Sequence, residues 1–221
     1  MGFSPKSLSS PDQRLIWEPG GESVVILTAC SHEADRLRQA TKGEIVARTG
    51  DRFEMPDGSV YEVTAATADT GGRSVGMNFI LPPGAVPPPP HIHPTQTEEF
   101  EVVEGPFELM VDGSWRTLET GQKASVPPRV LHTFRNKSGS TKIVHSTHSP
   151  PGRFEDFIEQ LSTLMHARGI KSGKDPRVPI LISMVWLEYG DTLRTGRDRE
   201  RLMINTAALL GRVLRMDAST A

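Results

Sequence analysis

Between residues 44 and 148 the chain is a succession of short β-branched or alternating segments, each closed by a glycine, proline or asparagine turn. This pattern constrains the fold more than any other feature of the sequence. Strands are predicted at 44–48, 52–55, 59–67, 74–81, 98–103, 107–111, 114–117, 123–126, 132–135 and 142–148, with Pro56-Asp57-Gly58 as a tight turn between two of them. So many short strands at close spacing argue for a closed barrel or jelly roll and an all-β class.

The flanks read differently. Residues 1–21 are rich in Ser, Pro and Gly with a short apolar patch at Leu15 to Trp17, an arm that needs another surface to pack on. Residues 22–29 predict a strand, and 31–42 a short polar helix stopped by Gly43. After Pro150-Pro151-Gly152 the period changes: Phe154, Phe157, Ile158, Leu161, Leu164 and Met165 share one helical face. A second apolar segment covers 180–189, and a third helix covers about 198–215 with Leu202, Leu209, Leu210, Val213 and Leu214. These helices are expected on the outside of the barrel or on a partner subunit. The implied organisation is an N-terminal arm at 1–43 packing on the barrel, the barrel at 44–150, and a C-terminal helical extension at 151–221.

Composition narrows the partners. With 25 basic and 27 acidic residues the net charge is −2, so no general positive field draws a phosphate backbone, and a small organic substrate is expected instead of nucleic acid. Cys30 is the single cysteine, which excludes an intrachain disulfide and a thiolate metal cage. Any metal must rest on His and carboxylate. The first ten residues lack the basic start and apolar core of a secretory signal, and no apolar run is long enough to span a bilayer. A cytoplasmic protein without membrane contact is expected, and barrel edges and the arm suggest a homodimer.

Two stretches carry the chemistry. In the first, which starts at Gly84 and passes through Pro87 to Pro90, His91 and His93 stand at i and i+2 on an extended segment. Alternation points both imidazoles to one side. Glu98 follows after enough chain for a short turn, sharing its inward face with Phe100 and Val102, while Glu99 and Glu101 fall on the outer face. In the second stretch a glycine turn at Gly121, a strand and a proline bend at Pro127 lead to an isolated His132, the fourth ligand candidate. Three neutral imidazoles and one carboxylate suit a single divalent transition metal, with Fe(II) first and Mn(II), Ni(II), Cu(II) or Zn(II) as alternatives.

These two stretches resemble the paired motifs of the cupin superfamily. Gly84, His91, His93, Glu98 and Gly105 match the first motif with one extra residue after Gly84. Gly121, Pro127, His132 and Asn136 match the second, with Arg129 in place of its internal glycine. The resemblance implies a double-stranded β-helix, a jelly-roll barrel, in which His91, His93, Glu98 and His132 ligate the metal. It does not choose a reaction, because cupins include dioxygenases, isomerases, cyclases, decarboxylases and plain binding proteins.

Around this set, His145 and His148 lie three apart on the last strand, so only one of them can look inward. His145 is the expected inward member, with a supporting or acid–base role. Met77, Phe79, Phe100 and Phe134 are the candidates for the substrate pocket, although such side chains, like Trp115, more often build core. The first functional expectation is a metal-dependent oxygenase or dioxygenase acting on a small oxygen-rich organic molecule. The alternatives are a non-oxidative isomerase, cyclase or decarboxylase on the same metal, and a non-catalytic small-molecule-binding barrel.

Overall fold

A computed structural model of the chain describes residues 15–16, 24–25, 47–196, 198–214 and 216. The chain divides into two units, 1–46 and 47–221. In the first, strands β1 (Leu15–Ile16) and β2 (Val24–Val25) pair antiparallel, Leu15 opposite Val25. The predicted helix at 31–42 lies outside the described residues. So do the packing of the arm and most of the strand at 44–48, of which residues 47 and 48 are described and are not strand.

The second unit is built from two antiparallel sheets. One has the order β10 (Lys123–Val126), β7 (Thr97–Glu104), β12 (Lys142–Ser149), β5 (Val75–Leu81), β4 (Val60–Ala65) and β3 (Arg52–Glu54). The other has the order β13 (Arg194–Thr195), β6 (His91–Ile92), β11 (His132–Arg135), β8 (Phe107–Val111) and β9 (Ser114–Leu118). This is the mostly-β, double-stranded β-helix the sequence predicts. Alternation along each strand sends one set of side chains inward, as the buried Val75, Met77, Phe79 and Leu81 of β5 show. Aromatics then join the sheets: Phe79 stacks on Phe134 with centroids 5.6 Å apart, and Phe100 and Phe107 pack on the same Phe134 ring at 6.2 and 5.5 Å. Each such burial contributes roughly 1.5–3 kcal/mol.

Local chemistry sets the turns. Val111 pairs with Ser114, leaving a two-residue loop in which Asp112 and Gly113 have φ of 49° and 81°, the left-handed pair that a tight hairpin of right-twisted strands demands. Gly105 closes β7 because a Cβ there would lie 2.7 Å from Val102 Cγ1 and 3.2 Å from the Thr120 nitrogen. Asn136 ends β11 by donating its amide hydrogens to the carbonyls of Leu81, Pro82 and Ser140, which ties the end of β5 to the turn before β12.

Three helices follow: α1 (Phe154–Ala167), α2 (Val178–Glu188) and α3 (Asp198–Val213). On α1, Phe154, Phe157, Ile158, Leu164 and Met165 are buried, the face the period predicts. Helix α2 is apolar nearly all round, as a helix sandwiched between neighbours must be, and it packs on both α1 and α3. These helices are not merely applied to the outside of the barrel. Strand β13, which the sequence does not announce, follows α2 and pairs with β6, Thr195 opposite His91. Residues after 151 therefore belong to the same body as the barrel. Among the described residues no helix is long and apolar enough to cross a membrane.

Candidate metal centre

The structure brings His91, His93, Glu98 and His132 together, all buried, with one ligand atom of each lying within 4.8 Å of every other. His91 comes from β6 and His93 follows it at once. Glu98 stands at the start of β7 and His132 at the start of β11, directly opposite His91. Two sheets thus contribute to one point. Glu98 Oε2 sits 2.8 Å from His132 Nε2 and 3.2 Å from His93 Nε2.

The far side of each imidazole decides what these atoms are. His91 Nδ1 lies 2.8 Å from the Pro89 carbonyl, His93 Nδ1 2.8 Å from the Thr192 carbonyl, and His132 Nδ1 2.9 Å from the Val130 carbonyl. A carbonyl only accepts, so each Nδ1 carries the proton and donates it. With the proton on Nδ1, the Nε2 of each ring is the atom left to face the common point, as a lone pair whenever no proton sits there. Lone pairs and a carboxylate converging in a dry pocket repel one another unless a proton or a metal ion joins them, and carbonyl-fixed imidazoles are how proteins orient metal-binding histidines. The donor set fits a divalent transition metal, and it does not by itself select which.

Without an ion, the electrostatics differ from ring to ring. Burial, then the neighbouring His132 and His93, push His91 well below the usual histidine range. Burial alone would raise Glu98, but His148, His132 and His93 outweigh it and hold the carboxylate ionised well below its usual range. For His132, burial is outweighed by the hydrogen bond and charge of Glu98, and its affinity for a proton rises.

Alternation along β12 resolves against the sequence expectation. His145 faces outward, half-buried, where its Nδ1 lies 3.1 Å from Asn78 Oδ1 and away from the cluster. His148 faces in. It pairs across the strands with Glu98, its Nε2 is 3.4 Å from Glu98 Oε1, and its ring stacks on Phe154 at 3.7 Å. Burial pushes its pKa down to about 3. Ser146, on the same face, donates its hydroxyl to Glu98 Oε1 at 2.9 Å. Glu99 and Glu101 lie outside, and Glu101 pairs with Lys123 at 2.8 Å.

A cavity of about 120 Å³ opens from the cluster, and His91 and Glu98 form part of its wall. Of the four expected pocket residues, Phe79 and Phe134 line it. Met77 and Phe100 do not; both are 1% exposed and fill the space between the sheets, because the inward face of a barrel strand serves the core wherever no cavity reaches it. Trp115, read as core, is 42% exposed and carries the Arg135 guanidinium 3.5 Å above its ring. The rest of the wall was not read from sequence. Much of it comes from α1 and α2, with Phe154, Phe157, Ile158, Met165, Ile182 and Trp186, and from Tyr61 of β4, while Asp57, Ser59 and Val86 to Pro89 add loop segments. Trp186 meets His91 edge-on at 6.0 Å. Burial, then Asp57 and Glu98, raise the Tyr61 phenol well above its usual range.

Inside this barrel three imidazoles and a carboxylate meet in a cluster consistent with a metal site, and residues 77–146 match the Cupin_2 family ("Cupin domain"). Among curated proteins, quercetin 2,3-dioxygenase of Bacillus subtilis (strain 168) is 29% identical over 137 residues, 60% of this chain; the chain spans 40% of that relative's length. Among solved structures, an RmlC-like cupin from Shewanella frigidimarina NCIMB 400 is 24% identical, covering 52% of this chain and 96% of that one with a TM-score of 0.41. KdgF from Halomonas sp. is 20% identical, covering 48% and 94% with a TM-score of 0.41.

Proposed function

We propose that this protein is a metal-dependent oxygenase acting on a small, uncharged, oxygen-bearing organic molecule. The observation that carries the reading is the exposure of His91 and Glu98, two of the four converging donors, to a largely apolar cavity. An ion held by His91, His93, Glu98 and His132 would supply Lewis-acid and redox chemistry to a ligand oxygen presented from that cavity. The side chains of the chain do the rest. Phe79, Phe134, Phe154 and Trp186 exclude water and bind the carbon skeleton, while the Tyr61 phenol and Ser59 offer polar contacts in the wall.

Among the described residues that form the wall there is no lysine or arginine. Its one other carboxylate, Asp57, is engaged by the backbone N–H groups of Ser59 and Val86 at 3.0 and 2.7 Å. A phosphate or polycarboxylate would therefore meet no counter-charge apart from the ion, which favours an uncharged ligand. Similarity to a quercetin 2,3-dioxygenase over 60% of the chain supports the oxidative reading over isomerisation, cyclisation or decarboxylation. The test is dioxygen uptake by protein loaded separately with Fe(II), Mn(II), Ni(II), Cu(II) and Zn(II), against panels of phenols, diketones and organic acids. Metal-dependent uptake with neutral compounds is expected. Turnover without oxygen consumption would replace the reading by Lewis-acid chemistry, and ligand binding without turnover by a sensor role.

A further inference from the structure

His148 is 1% exposed, and neither of its ring nitrogens meets hydrogen-bond geometry, although Glu98 Oε1 stands 3.4 Å from Nε2, within ion-pair reach. A buried imidazole without a hydrogen bond is costly, on the order of 1–3 kcal/mol for the unsatisfied donor, so its retention calls for a reason beyond packing. Its surroundings supply one. Phe154 stacks behind the ring at 3.7 Å and 22°, which stops the imidazole from retreating from Glu98 Oε1, 3.4 Å away. Ser146, two residues earlier on the same face of β12, donates to that same oxygen at 2.9 Å. Glu98 Oε2 is the atom within reach of His93 and His132. The two carboxylate oxygens therefore have separate occupations.

We propose that Ser146 and His148 are positioning residues that hold Glu98 Oε1 against β12, so that Glu98 offers the metal a single oxygen and cannot turn to chelate with both. This rests on the reading of the cluster as a metal site. With Oε1 engaged on β12, only Oε2 faces His93 and His132; with Oε1 released, both oxygens could turn toward an ion held there.

The experiment is Co(II) titration of the full chain, followed by visible absorption and by binding affinity. Ser146→Ala and His148→Phe, which keeps the stack on Phe154 but removes the ring nitrogens, are each expected to lower cobalt affinity about 10- to 100-fold. Both should alter the ligand-field bands as the carboxylate changes its mode, and His148→Gln, which restores a donor, should recover the wild-type spectrum. Wild-type affinity and spectrum in both Ser146→Ala and His148→Phe would overturn the proposal while leaving the metal site intact. Loss of cobalt from His148→Phe as complete as from His93→Ala would overturn it differently, making His148 itself a ligand. A wild-type chain that takes up no cobalt would fail the metal reading and the proposal with it. If His148→Phe does not fold by circular dichroism, Ser146→Ala decides alone.

A separate observation lies on α3. Its Ile204, Ala208 and Gly211 are buried, and a Cβ at Gly211 would collide with Met184 and Ile180 of α2. Elsewhere α3 and the residue after it expose Leu202 (68%), Met203 (66%), Leu209 (62%), Leu210 (47%), Val213 (71%) and Leu214 (57%). These side chains expose on the order of 700 Å², near the ~800 Å² each partner buries in a standard interface. The 4-3-4 spacing of Leu202, Thr206, Leu209 and Val213 is that of a self-pairing helix seam. We infer that this face is covered by α3 of a second copy. Sedimentation of the full chain should give a dimer, and Leu202→Glu with Leu209→Glu a monomer with unchanged cobalt binding. A monomeric wild type, as when residues 1–46 of the same chain occupy the face, or a variant that stays dimeric, would overturn this.

Discussion

His93 and His132 each carry a carbonyl-fixed Nδ1 and an Nε2 turned to Glu98. Replacing either with alanine removes one donor from a preformed set without touching a strand pairing. His93→Ala and His132→Ala are therefore expected to lose most bound metal while keeping the far-UV circular dichroism of the wild type, with elemental analysis as the check. Unchanged metal content in one of them would remove that residue from the ligand set. At Arg129 a different local rule applies. Its φ of 68° is the left-handed region, and its N–H donates to the His93 carbonyl at 2.8 Å. The arginine adopts the backbone that the motif's usual glycine would adopt without strain, at a cost of roughly 1–2 kcal/mol that the larger chain entropy of unfolded glycine partly offsets. Arg129→Gly should leave the urea midpoint unchanged or raise it slightly, and a clear fall would show that the guanidinium carries a contact worth more than the strain.

On α1, Phe154 serves four neighbours at once: it stacks on His148, meets His93 edge-on at 6.0 Å and Phe79 at 6.4 Å, and contacts Phe157 at 6.2 Å. Phe154→Ala should cost about 3–5 kcal/mol in urea unfolding, as for other large-to-small core changes, and should open the cavity toward His148. The first turn of α1 also stores a pH dependence. Burial, then Glu155, raise half-buried Asp156 to about 6, with Arg153 pulling the other way. The folded chain binds this proton more tightly than the unfolded one, so the contribution to stability is full below about pH 4 and is lost as pH rises through about 6. Solvent exposure and the helix dipole reduce it to the order of 1 kcal/mol. Asp156→Asn should match the wild type at pH 4 and be the more stable protein at pH 7.5; an equal difference at both values would refute the linkage. Elements also show where pattern reading stops. Strands β8, β10 and β11 have the bounds that alternation and turns predict. Strands β6 and β13 have two residues each, too few to show any period.

At the scale of the whole molecule, an ion held by the cluster would couple metal binding to folding. An ion that binds only the assembled cluster stabilises the fold by mass action, and its removal leaves three lone pairs and a buried carboxylate facing one another. Chelator-treated protein is therefore expected to unfold at a lower temperature and to recover on adding a divalent transition metal. An unchanged midpoint would mean that the four side chains hold no ion. The cluster's residues were legible because its requirements are local: an i, i+2 pair on an extended segment shares a side whatever the rest of the chain does, and short strands between turns read as a barrel. The inward member of the His145–His148 pair was not legible. Ile143 and Val144 are both apolar, so alternation along β12 favours neither face until register places His148 opposite Glu98. Nor does any local signal tell Thr192 to present its carbonyl to His93, 99 residues earlier, or α1 and α2 to wall the cavity. What the chain alone determined is the kind of barrel and the donors within it, since those follow from neighbours in sequence. Which side chains support the donors and which enclose a ligand was decided only in three dimensions, because strand register and helix docking are settled by packing between distant segments.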